Sequence, residues 1–270
     1  DPARLPRVGA ILHELCEEVT LIPLTRLAGF AGFGRALLRG ASLSVGYYDS
    51  AAMRRWVRRT VAERAIGAAF ATSSAVAIYL DSGERTRPLS IVDFMDVDSD
   101  KWAQYALDAR WPLSAVYRRE ARLLAAHERT LAASLDCGLF VSSAETELFA
   151  TIAPAARARI LAVPNGVDTH YFDPAGRYAL DQADIAQPCA VFCGAMDYRP
   201  NVDAVCWFVE NVLPLVRARI AGFRFIVVGS RPARRVRRLA GTEGVIVTGA
   251  VPDVRGYVAR ANVVVAPLRM

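Results

Sequence analysis

The sequence predicts an α/β fold. Short runs rich in β-branched and aromatic residues alternate with amphipathic helical stretches over nearly the whole chain, a pattern typical of parallel sheets covered by helices on both faces. Some of these runs, such as Phe225–Val228 and Val263–Ala266, are apolar without interruption, as expected of strands buried on both faces. With 270 residues, 53% of them hydrophobic, the chain is long enough for two ordinary domains with their own cores.

The order of the elements predicts two α/β domains. The predicted strands are Glu18–Leu24, Ala68–Thr72, Ser90–Phe94, Gly138–Val141, Ile160–Val163, Ala190–Cys193, Arg224–Val228, Val245–Thr248 and Asn262–Ala266. A helix is predicted over the first residues, and a long amphipathic helix over about Pro112–Leu135. The polar stretch 173–188, with its prolines and glycine, predicts a linker between domains at 1–172 and 189–270.

Charge and hydropathy exclude some classes of function. The net charge of +6 comes almost wholly from arginine, and its densest run is Arg231–Arg238. That run lacks the interleaved aromatics of a nucleic-acid surface, so a solvated helix face is favoured, with contact to anionic lipid as the lesser alternative. No apolar stretch approaches the roughly 18 residues of a spanning helix, so no transmembrane segment is expected.

The cysteines and histidines predict neither a disulfide framework nor a metal site. Five scattered cysteines are typical of reduced thiols in a cytoplasmic protein. Cys189 and Cys193 lie four apart in a predicted strand, where both would face one side as small hydrophobic residues. The three histidines are far apart in sequence, so no metal site is expected.

One segment has the pattern of a phosphate-binding loop. A predicted strand ends at Gly194, a short loop follows, and a helix capped by Asn201 is expected next. A glycine there lets backbone N–H groups and the helix dipole approach a phosphate without an intervening side chain. Alone the pattern is weak evidence, because a glycine followed by a helix occurs in any α/β fold.

Ordered companion motifs strengthen this interpretation. The motifs are Val163–Asp168 with Phe172 just beyond, Phe192–Asn201, Phe225–Gly229, Val247–Asp253 and Val263–Leu268. In this order they closely resemble the retaining glycosyltransferases of family four. The earlier segments Val92–Trp102 and Leu139–Ser143 resemble the branch associated with bacterial exosortase and exopolysaccharide loci. The resemblance covers almost the entire chain.

The resemblance implies the GT-B architecture, in which two Rossmann-like domains face each other across a cleft. The N-terminal domain would hold the acceptor and the C-terminal domain the nucleotide sugar. Gly194, Arg199 and Asn201 would lie at the donor diphosphate. The crossing into the donor domain, near the cleft, would be formed by Asn165, Gly166 and Asp168.

The resemblance also implies a catalytic role for Asp96 and Asp98, which follow an acceptor-domain strand where many relatives present an acidic or histidine side chain to the sugar. Two structural alternatives remain open. Asn165–Gly166 is also a favourable turn sequence. Asp96, Asp98 and Asp100, with Ser99, could instead cap the next helix.

The chain departs from the family pattern in three ways. The family commonly places an arginine and a lysine around the diphosphate, where this chain has Ala195 and Asn201, so Arg199 is the only cation expected in the loop. The family's paired glutamates belong after the final strand, and its glycine-rich first strand and loop are not seen. We therefore expect both domains to be incomplete and the chain to be inactive by itself.

For the intact parent, the resemblance implies transfer of a hexose from a nucleoside diphosphate sugar to a glycan or lipid-linked acceptor with retention, in exopolysaccharide or cell-envelope biosynthesis. No metal or cofactor besides the donor substrate is expected, and no nucleic acid partner. The expected location is cytoplasmic, with peripheral contact at the inner membrane. The alternatives are a sugar-nucleotide epimerase and a non-catalytic nucleotide- or glycan-binding module.

Overall fold

The chain forms two compact units, each built on a parallel sheet. The structure is a computed structural model that describes residues 5–80, 87–179 and 188–269. The units are Asp1–Asn165 and Gly166–Met270, and each contains a parallel sheet of four strands within the described residues. The predicted α/β class with two Rossmann-like, GT-B-type domains is thus confirmed. Half of the predicted linker, 180–187, lies outside the described residues, so the linker and domain limits stay predictions.

In the first unit, a group of helices precedes the sheet. They are α1 Leu5–Leu15, α2 Arg26–Leu38, α3 Leu43–Tyr48 and α4 Ala51–Glu63. The sheet strands pair in chain order, and they are β1 Ala68–Thr72, β2 Leu89–Met95, β3 Cys137–Phe140 and β4 Ile160–Ala162. The helices between the strands are α5 Asp98–Asp108, α6 Leu113–Ser134 and α7 Ser143–Ile152. The predicted long helix is α6, which begins and ends one residue inside its predicted limits.

The predicted strand Glu18–Leu24 is wrong. This segment joins α1 to α2 without regular secondary structure. A strand needs a neighbour to pair with, and Pro23 also removes one backbone donor from any ladder. The segment leads instead into Thr25, whose side chain accepts a hydrogen bond from the Ala28 N–H at 3.2 Å and so begins α2.

The core of the first unit is organised around three aromatic rings. Phe94 of β2, Phe140 of β3 and Phe149 of α7 are fully buried, with ring centroids 4.8 to 5.1 Å apart. Such a cluster buries a large apolar area and fixes the position of α7 on the sheet. The carboxyl ends of β2 and β3 are therefore held rigidly beside each other.

Helix α6 carries two buried glutamates that hold the beginnings of other helices. Glu120 accepts hydrogen bonds from the Ser42 hydroxyl at 2.6 Å and from the N–H groups of Leu43 and Ser44, both at 2.8 Å. Glu128, two turns further along, accepts from the N–H and hydroxyl of Ser99. Because the first N–H groups of a helix have no intrahelical partner, these carboxylates stabilise the starts of α3 and α5.

The second unit has a sheet with the strand order β7-β6-β5-β8, all parallel. Its strands are β5 Cys189–Cys193, β6 Arg224–Val228, β7 Val245–Gly249 and β8 Val263–Val264. Its helices are α8 Arg199–Trp207, continued by a π-helical segment Phe208–Val212 and α9 Leu213–Arg217, then α10 Arg234–Leu239 and α11 Arg255–Arg260. The direction of the strand order reverses between β5 and β8, which makes this a topological switch point.

Burial in the second unit confirms the expected two-sided strand at Phe225–Val228. The same expectation for Val263–Ala266 is wrong, because β8 lies at the edge of the described sheet and Val263 and Val264 are 47% and 50% exposed. Every residue of β6 except Arg224 is buried, and Phe225 stacks on Phe208 with ring centroids 4.2 Å apart. Cys189 and Cys193 contact the same apolar cluster on one face, as predicted, and both are free thiols. The last strand is shorter than predicted, although the Val265 N–H still bonds the Val191 carbonyl at 2.9 Å.

The Glu120 contacts lead to a stability prediction. Glu120→Ala removes the shared acceptor of one hydroxyl and two N–H groups at a buried position, so we expect the free energy of unfolding to fall by about 2–4 kcal/mol. Urea unfolding followed by circular dichroism measures this. Glu147→Ala, at an exposed position on α7, is the matched control. Equal losses in both variants would show that Glu120 does not stabilise the start of α3.

Candidate functional site

The carboxyl end of β2 is distorted by a bulge. The pairing register with β3 shifts between Asp93 and Met95, and Met95 has φ of 63°. Asp93 holds this backbone in place, because its carboxylate accepts from the Met95 N–H at 3.0 Å and its carbonyl accepts from the Ser73 N–H at 2.7 Å. Bulges of this kind occur often beside active sites, where they redirect a side chain. The residue that follows the bulge is Asp96.

Strained backbone is confined to the carboxyl ends of strands. Among the described residues, the non-glycine residues with positive φ are Ser73, Met95 and Arg231. Ser73 follows β1 directly, Met95 ends β2, and Arg231 lies shortly after β6. Such conformations cost about 1–3 kcal/mol each and tend to cluster at functional sites. The strain therefore marks the sheet edges at which open α/β folds bind ligands.

The structure distinguishes the two aspartates that were predicted to be catalytic. The side chain of Asp96 is exposed, and its carboxylate has no hydrogen bond or ion pair with any residue that the structure describes. Asp98 lies in the first turn of α5 and forms an ion pair with the Lys101 ammonium at 2.6 Å. Asp96 is thus the carboxylate available to a ligand at the end of β2.

The alternative that these aspartates cap α5 is wrong. The helix begins after Val97, and no side chain of its own caps it. Its first N–H groups are satisfied by glutamates of other helices, because Glu145 accepts from the Val97 N–H at 2.7 Å and Glu128 from the Ser99 N–H at 3.1 Å. Asp100 instead accepts from the Gln104 amide at 2.7 Å. The sequence pattern did not reveal that these two glutamates hold the start of α5, the helix that follows Asp96.

Glu128 has an unusual protonation equilibrium. The pKa of its carboxyl is raised to about 7, chiefly by burial and to a smaller extent by the nearby Asp98 charge, while the Ser99 hydrogen bonds and Lys101 act in the opposite direction. Burial dominates because an ionised carboxylate loses its hydration there. A carboxyl that titrates near neutral pH is therefore hydrogen-bonded to the first turn of α5, the turn that also carries Asp98.

Two serines after β1 also belong to this sheet edge. Ser74 is buried, and its hydroxyl has no hydrogen-bond partner within the described ranges. Its carbonyl oxygen lies 3.0 Å from Nε2 of His127 on α6. Sequence reasoning did not single out Ser73 or Ser74, although consecutive hydroxyl residues directly after a predicted strand were a usable signal.

A cavity in the first unit does not coincide with these residues. Its volume is about 470 Å³, and its lining includes Arg87, Ser90 and His127, near the amino end of β2. Arg87 also pairs with Asp136, which holds the pKa of that carboxyl well below its usual range. We assign this cavity no ligand, because residues 81–86, which connect its lining residues Leu80 and Arg87 in sequence, lie outside the described part of the chain.

In the second unit, Gly194 begins the loop that was predicted to bind phosphate. Its N–H donates to the Val228 carbonyl at 3.0 Å, and the Met196 N–H donates to the Ser230 carbonyl at 2.9 Å. A Cβ atom on Gly229 would lie 1.7 Å from the Gly194 carbonyl oxygen. The loop and the segment after β6 can approach this closely only because residue 229 is glycine, a requirement that the sequence motif did not disclose.

The predicted cap at Asn201 is wrong. Helix α8 begins at Arg199, two residues earlier, and Pro200 occupies its first turn, where a missing N–H costs nothing. The Asn201 amide reaches back and donates to the Ala195 carbonyl at 3.0 Å, which braces the loop. A Cβ on Gly194 would lie 2.7 Å from that amide nitrogen. Residue 194 must therefore also be glycine for the Asn201 amide to reach the Ala195 carbonyl. That Asn201 contacts the donor substrate stays a prediction.

The loop has more positive charge than the sequence suggested. Arg199 lies in the first turn of α8, as expected. Arg231 is far away in sequence, but its Nε atom lies 3.0 Å from the Asp197 carboxylate of the loop, and 73% of its side chain is exposed. The expectation that Arg199 is the only local cation is thus wrong, because the turn after β6 brings Arg231 to the same loop.

The segment at the start of the second unit is more extended than expected. No turn forms at Asn165–Gly166, and Gly166 does not have positive φ, so the turn interpretation is wrong. Asp168 accepts hydrogen bonds from the N–H groups of His170 and Tyr171 at 3.0 and 2.9 Å, which forms the turn that follows. That Asn165, Gly166 and Asp168 contact the donor substrate stays a prediction.

Arg255 holds this segment against the loop after β7. Its guanidinium pairs with Asp253 at 2.8 Å, lies 3.9 Å from the centroid of the Tyr171 ring and 4.6 Å from that of Tyr178, and donates to the Tyr171 carbonyl at 3.1 Å. The hydrogen bonds from Arg255 lower the pKa of Asp253. Asp253, part of a motif quoted above, therefore has a structural role within this unit.

An uncapped helix start beside a switch point defines the class of the second unit. Gly194 directly follows the central strand β5, and α8 begins after Tyr198 without a side-chain cap. This arrangement is typical of α/β domains that bind the phosphates of nucleotides. Among the described residues, no group of three or more His, Cys, Asp or Glu side chains is placed to hold a metal ion.

Comparison with protein families specifies this class. Residues 187–270, less than half of the chain, match the family model described as "Glycosyl transferases group 1". A comparison with curated proteins finds no match. The family match covers the complete β5–loop–α8 segment and the strands after it, and it supports a glycosyltransferase activity in general terms.

Glu128 leads to a pH-dependence prediction. Its pKa is about 7 in the folded chain against a reference value of 4.5, so the folded state binds more protons than the unfolded state between these values. The free energy of unfolding should therefore fall as the pH rises from about 5 to about 7 and then level off. Glu128→Gln removes the titrating group and should flatten this slope.

Urea unfolding of both chains over this pH range measures the effect. The difference in unfolding free energy between the parent chain and Glu128→Gln should change by about 1–3 kcal/mol between pH 5 and pH 8. Glu147→Gln, exposed on α7, should leave the slope as it is. Parallel curves for the parent chain and Glu128→Gln would contradict the raised pKa.

Proposed function

We propose that this protein transfers a hexose from a nucleoside diphosphate sugar to a hydroxyl of a glycan or lipid-linked acceptor, with retention at the anomeric carbon, in exopolysaccharide or cell-envelope biosynthesis. One observation carries the proposal. The Gly194–Arg199 loop, at the switch point of the second sheet, combines an open strand end, an uncapped helix start and arginines within the segment that matches glycosyl transferases.

The loop has suitable groups for a diphosphate leaving group. The N–H groups of Ala195 and Asp197 have no hydrogen-bond acceptor among the residues that the structure describes. The positive end of α8 lies next to them, with Arg199 in its first turn. Fixed dipoles and cations stabilise charge as it develops on a leaving group, without reorganisation during the reaction. In this proposal, Arg231 exchanges the Asp197 carboxylate for a phosphate oxygen.

The first unit supplies the proposed acceptor contact. Asp96 follows the bulged end of β2 with an exposed carboxylate, which can accept a hydrogen bond from a sugar hydroxyl. Asp98 is already paired with Lys101, so we assign it the smaller, orienting role. The reaction proposed here uses no metal and no cofactor other than the donor substrate.

The proposed location is cytoplasmic, with peripheral contact at the inner membrane and no nucleic acid partner. A lipid-linked acceptor would be reached most readily from that surface. Its polar head, with the growing glycan, lies at the membrane–water interface.

Product analysis tests the proposal directly. The protein at its natural length is incubated with a panel of nucleoside diphosphate sugars and with lipid-linked or glycan acceptors. Mass spectrometry detects the new glycoside, and proton coupling constants of its anomeric centre report retention. Donor binding without transfer would favour the non-catalytic module, whereas epimerised donor would favour the epimerase.

The arginines of the loop lead to a binding prediction. Arg199→Ala and Arg231→Ala should each weaken nucleoside diphosphate binding by about 1.5–3 kcal/mol, the range of a hydrogen bond to a charged group. Titration calorimetry measures the affinities. Arg234→Ala, which removes an exposed arginine of α10 in the same unit, should have little effect.

These arginine variants test the loop more cleanly than Gly194→Val. A valine at 194 should still block donor binding, but it would also displace the Asn201 amide. If both arginine variants bind the diphosphate like the parent chain while remaining folded, the diphosphate is held elsewhere.

Asp96 leads to a catalytic prediction. Asp96→Asn should lower kcat at least about tenfold in the protein at its natural length, because the amide is a weaker acceptor than the carboxylate. Its unfolding free energy should stay within about 0.5 kcal/mol, since the parent side chain is exposed. Asp100→Asn, on the neighbouring helix turn, is the control with a small expected effect on kcat. Equal turnover by Asp96→Asn and the parent protein would remove Asp96 from the site.

A further inference from the structure

Helix α2 packs against the rest of the first unit through its smallest residues. Its buried positions are Gly29, Gly32 and Ala36. A Cβ on Gly32 would lie 2.0 Å from the Gly46 carbonyl oxygen, and a Cβ on Gly29 would lie 2.4 Å from the ring of Tyr47. The backbones of α2 and α3 therefore approach so closely that no larger side chain fits between them. The closest part of this contact is thus made by small residues of α2, and beside them the Phe33 ring packs edge-on against Tyr47 with ring centroids 5.6 Å apart.

Several large apolar residues of α2 point away from this contact. The exposed fractions are 83% for Leu27, 64% for Phe30 and 89% for Leu38. Leu27 and Leu38 lie eleven residues apart, three helical turns, on the side opposite to Gly29, Gly32 and Ala36. A surface helix of a globular protein normally has the reverse arrangement, with large apolar residues facing the core. This outward face, defined by Leu27, Phe30 and Leu38, needs a partner.

The exposed apolar surface continues before the helix. Leu15, the last residue of α1, is also exposed. So are Leu21 and Leu24, in the segment that joins α1 to α2 without forming a strand. The apolar side chains that led to a strand prediction are therefore not buried within the unit. Several large exposed apolar side chains within one short stretch of chain favour an interaction site over isolated exposure.

The charges around the outward face identify the kind of partner. No acidic residue occurs between Glu18 and Asp49, whereas Arg26, Arg35 and Arg39 all lie on or next to α2 and are exposed. On α2 and the residues next to it the charged side chains are all arginines, and an apolar stripe with such charges complements the surface of an anionic bilayer, with acyl chains below and phosphates above.

The length of α2 decides how it would lie on the bilayer. Its 13 residues extend about 20 Å, short of the roughly 30 Å of a hydrocarbon core. Within the described ranges, no helix has both the length and the apolar character needed to cross a bilayer. The helix can therefore lie in the plane of the interface but cannot span it.

We propose that α2 docks the protein on an anionic membrane surface. Leu27, Phe30 and Leu38 insert among the acyl chains, and the arginines of this segment contact lipid phosphates. The attachment is rigid, because α2 packs on α3 and the start of α3 is held by Glu120 of α6. The inference deepens the proposed peripheral location. Its test uses neither donor nor acceptor, so its failure is distinguishable from failure of the transfer reaction.

Vesicle flotation tests the apolar contact. The 270-residue chain is mixed with vesicles of phosphatidylcholine, alone or with about 30% phosphatidylglycerol, and we expect strong binding only to the anionic vesicles. The combined variant Leu27→Ser, Phe30→Ser and Leu38→Ser should lower the partition coefficient about a hundredfold. Leu107→Ser is the matched control, because Leu107 is 86% exposed on α5. Circular dichroism and thermal unfolding confirm that both variants are folded.

A second pair of variants tests the charges. Arg26→Gln, Arg35→Gln and Arg39→Gln together should abolish the preference for anionic vesicles. Removing the same charge from α10, by Arg234→Gln, Arg235→Gln and Arg238→Gln, should leave binding unchanged. Loss of binding only in the α10 variant would assign the membrane contact to that basic run instead and overturn the proposal.

Insertion depth provides an independent readout. A tryptophan introduced by Phe30→Trp should be quenched by lipids brominated on their acyl chains, whereas one introduced by Leu107→Trp should not. Unchanged vesicle binding by the folded apolar variant would refute the proposal. So would a dimer of the parent chain that becomes monomeric in that variant without any vesicle binding, because the outward face would then belong to a second copy.

Discussion

The constraint on which this structure depends is that the backbone N–H groups at a helix start need an acceptor. In the first unit the protein supplies its own anions, because Glu120 holds the start of α3, and Glu145 and Glu128 hold the start of α5. In the second unit, α8 begins after Tyr198 without a side-chain cap. The sheet edge at the start of α5 and the sheet edge at the start of α8 therefore differ in their charge and in whether carboxylates hold the first N–H groups of the helix. The edge of the second unit remains open to an anionic ligand, whereas the start of α5 is already neutralised.

The same contrast explains why the proposed roles differ between the units. A diphosphate suits the Gly194 loop, where Gly229 permits close backbone packing and Arg231 adds a cation. At the end of β2, by contrast, the available group is the Asp96 carboxylate, which suits a neutral hydroxyl and repels a phosphate. The family match over residues 187–270 lies within the second unit.

The buried glutamates of α6 also connect distant parts of the first unit. Glu120 secures α3, and α3 in turn positions the outward face of α2. Glu128, with a pKa raised to about 7 by burial, secures the helix that follows Asp96. One helix thus supports both the proposed membrane surface and the proposed acceptor edge, so changes in α6 should affect both.

The sequence by itself determined the α/β class, every strand within the two sheets and the long helix α6, because periodicity and uninterrupted apolar runs reflect burial directly. It also located the loop that begins at Gly194. Only the tertiary structure decided what depends on residues far apart in the chain. The segment Glu18–Leu24 has strand-forming residues but no strand to pair with, and Arg231 reaches the loop only because β6 lies beside β5. The cap of α5 comes from Glu128, nearly thirty residues away, and a local pattern cannot reveal a hydrogen bond that folding creates between distant segments.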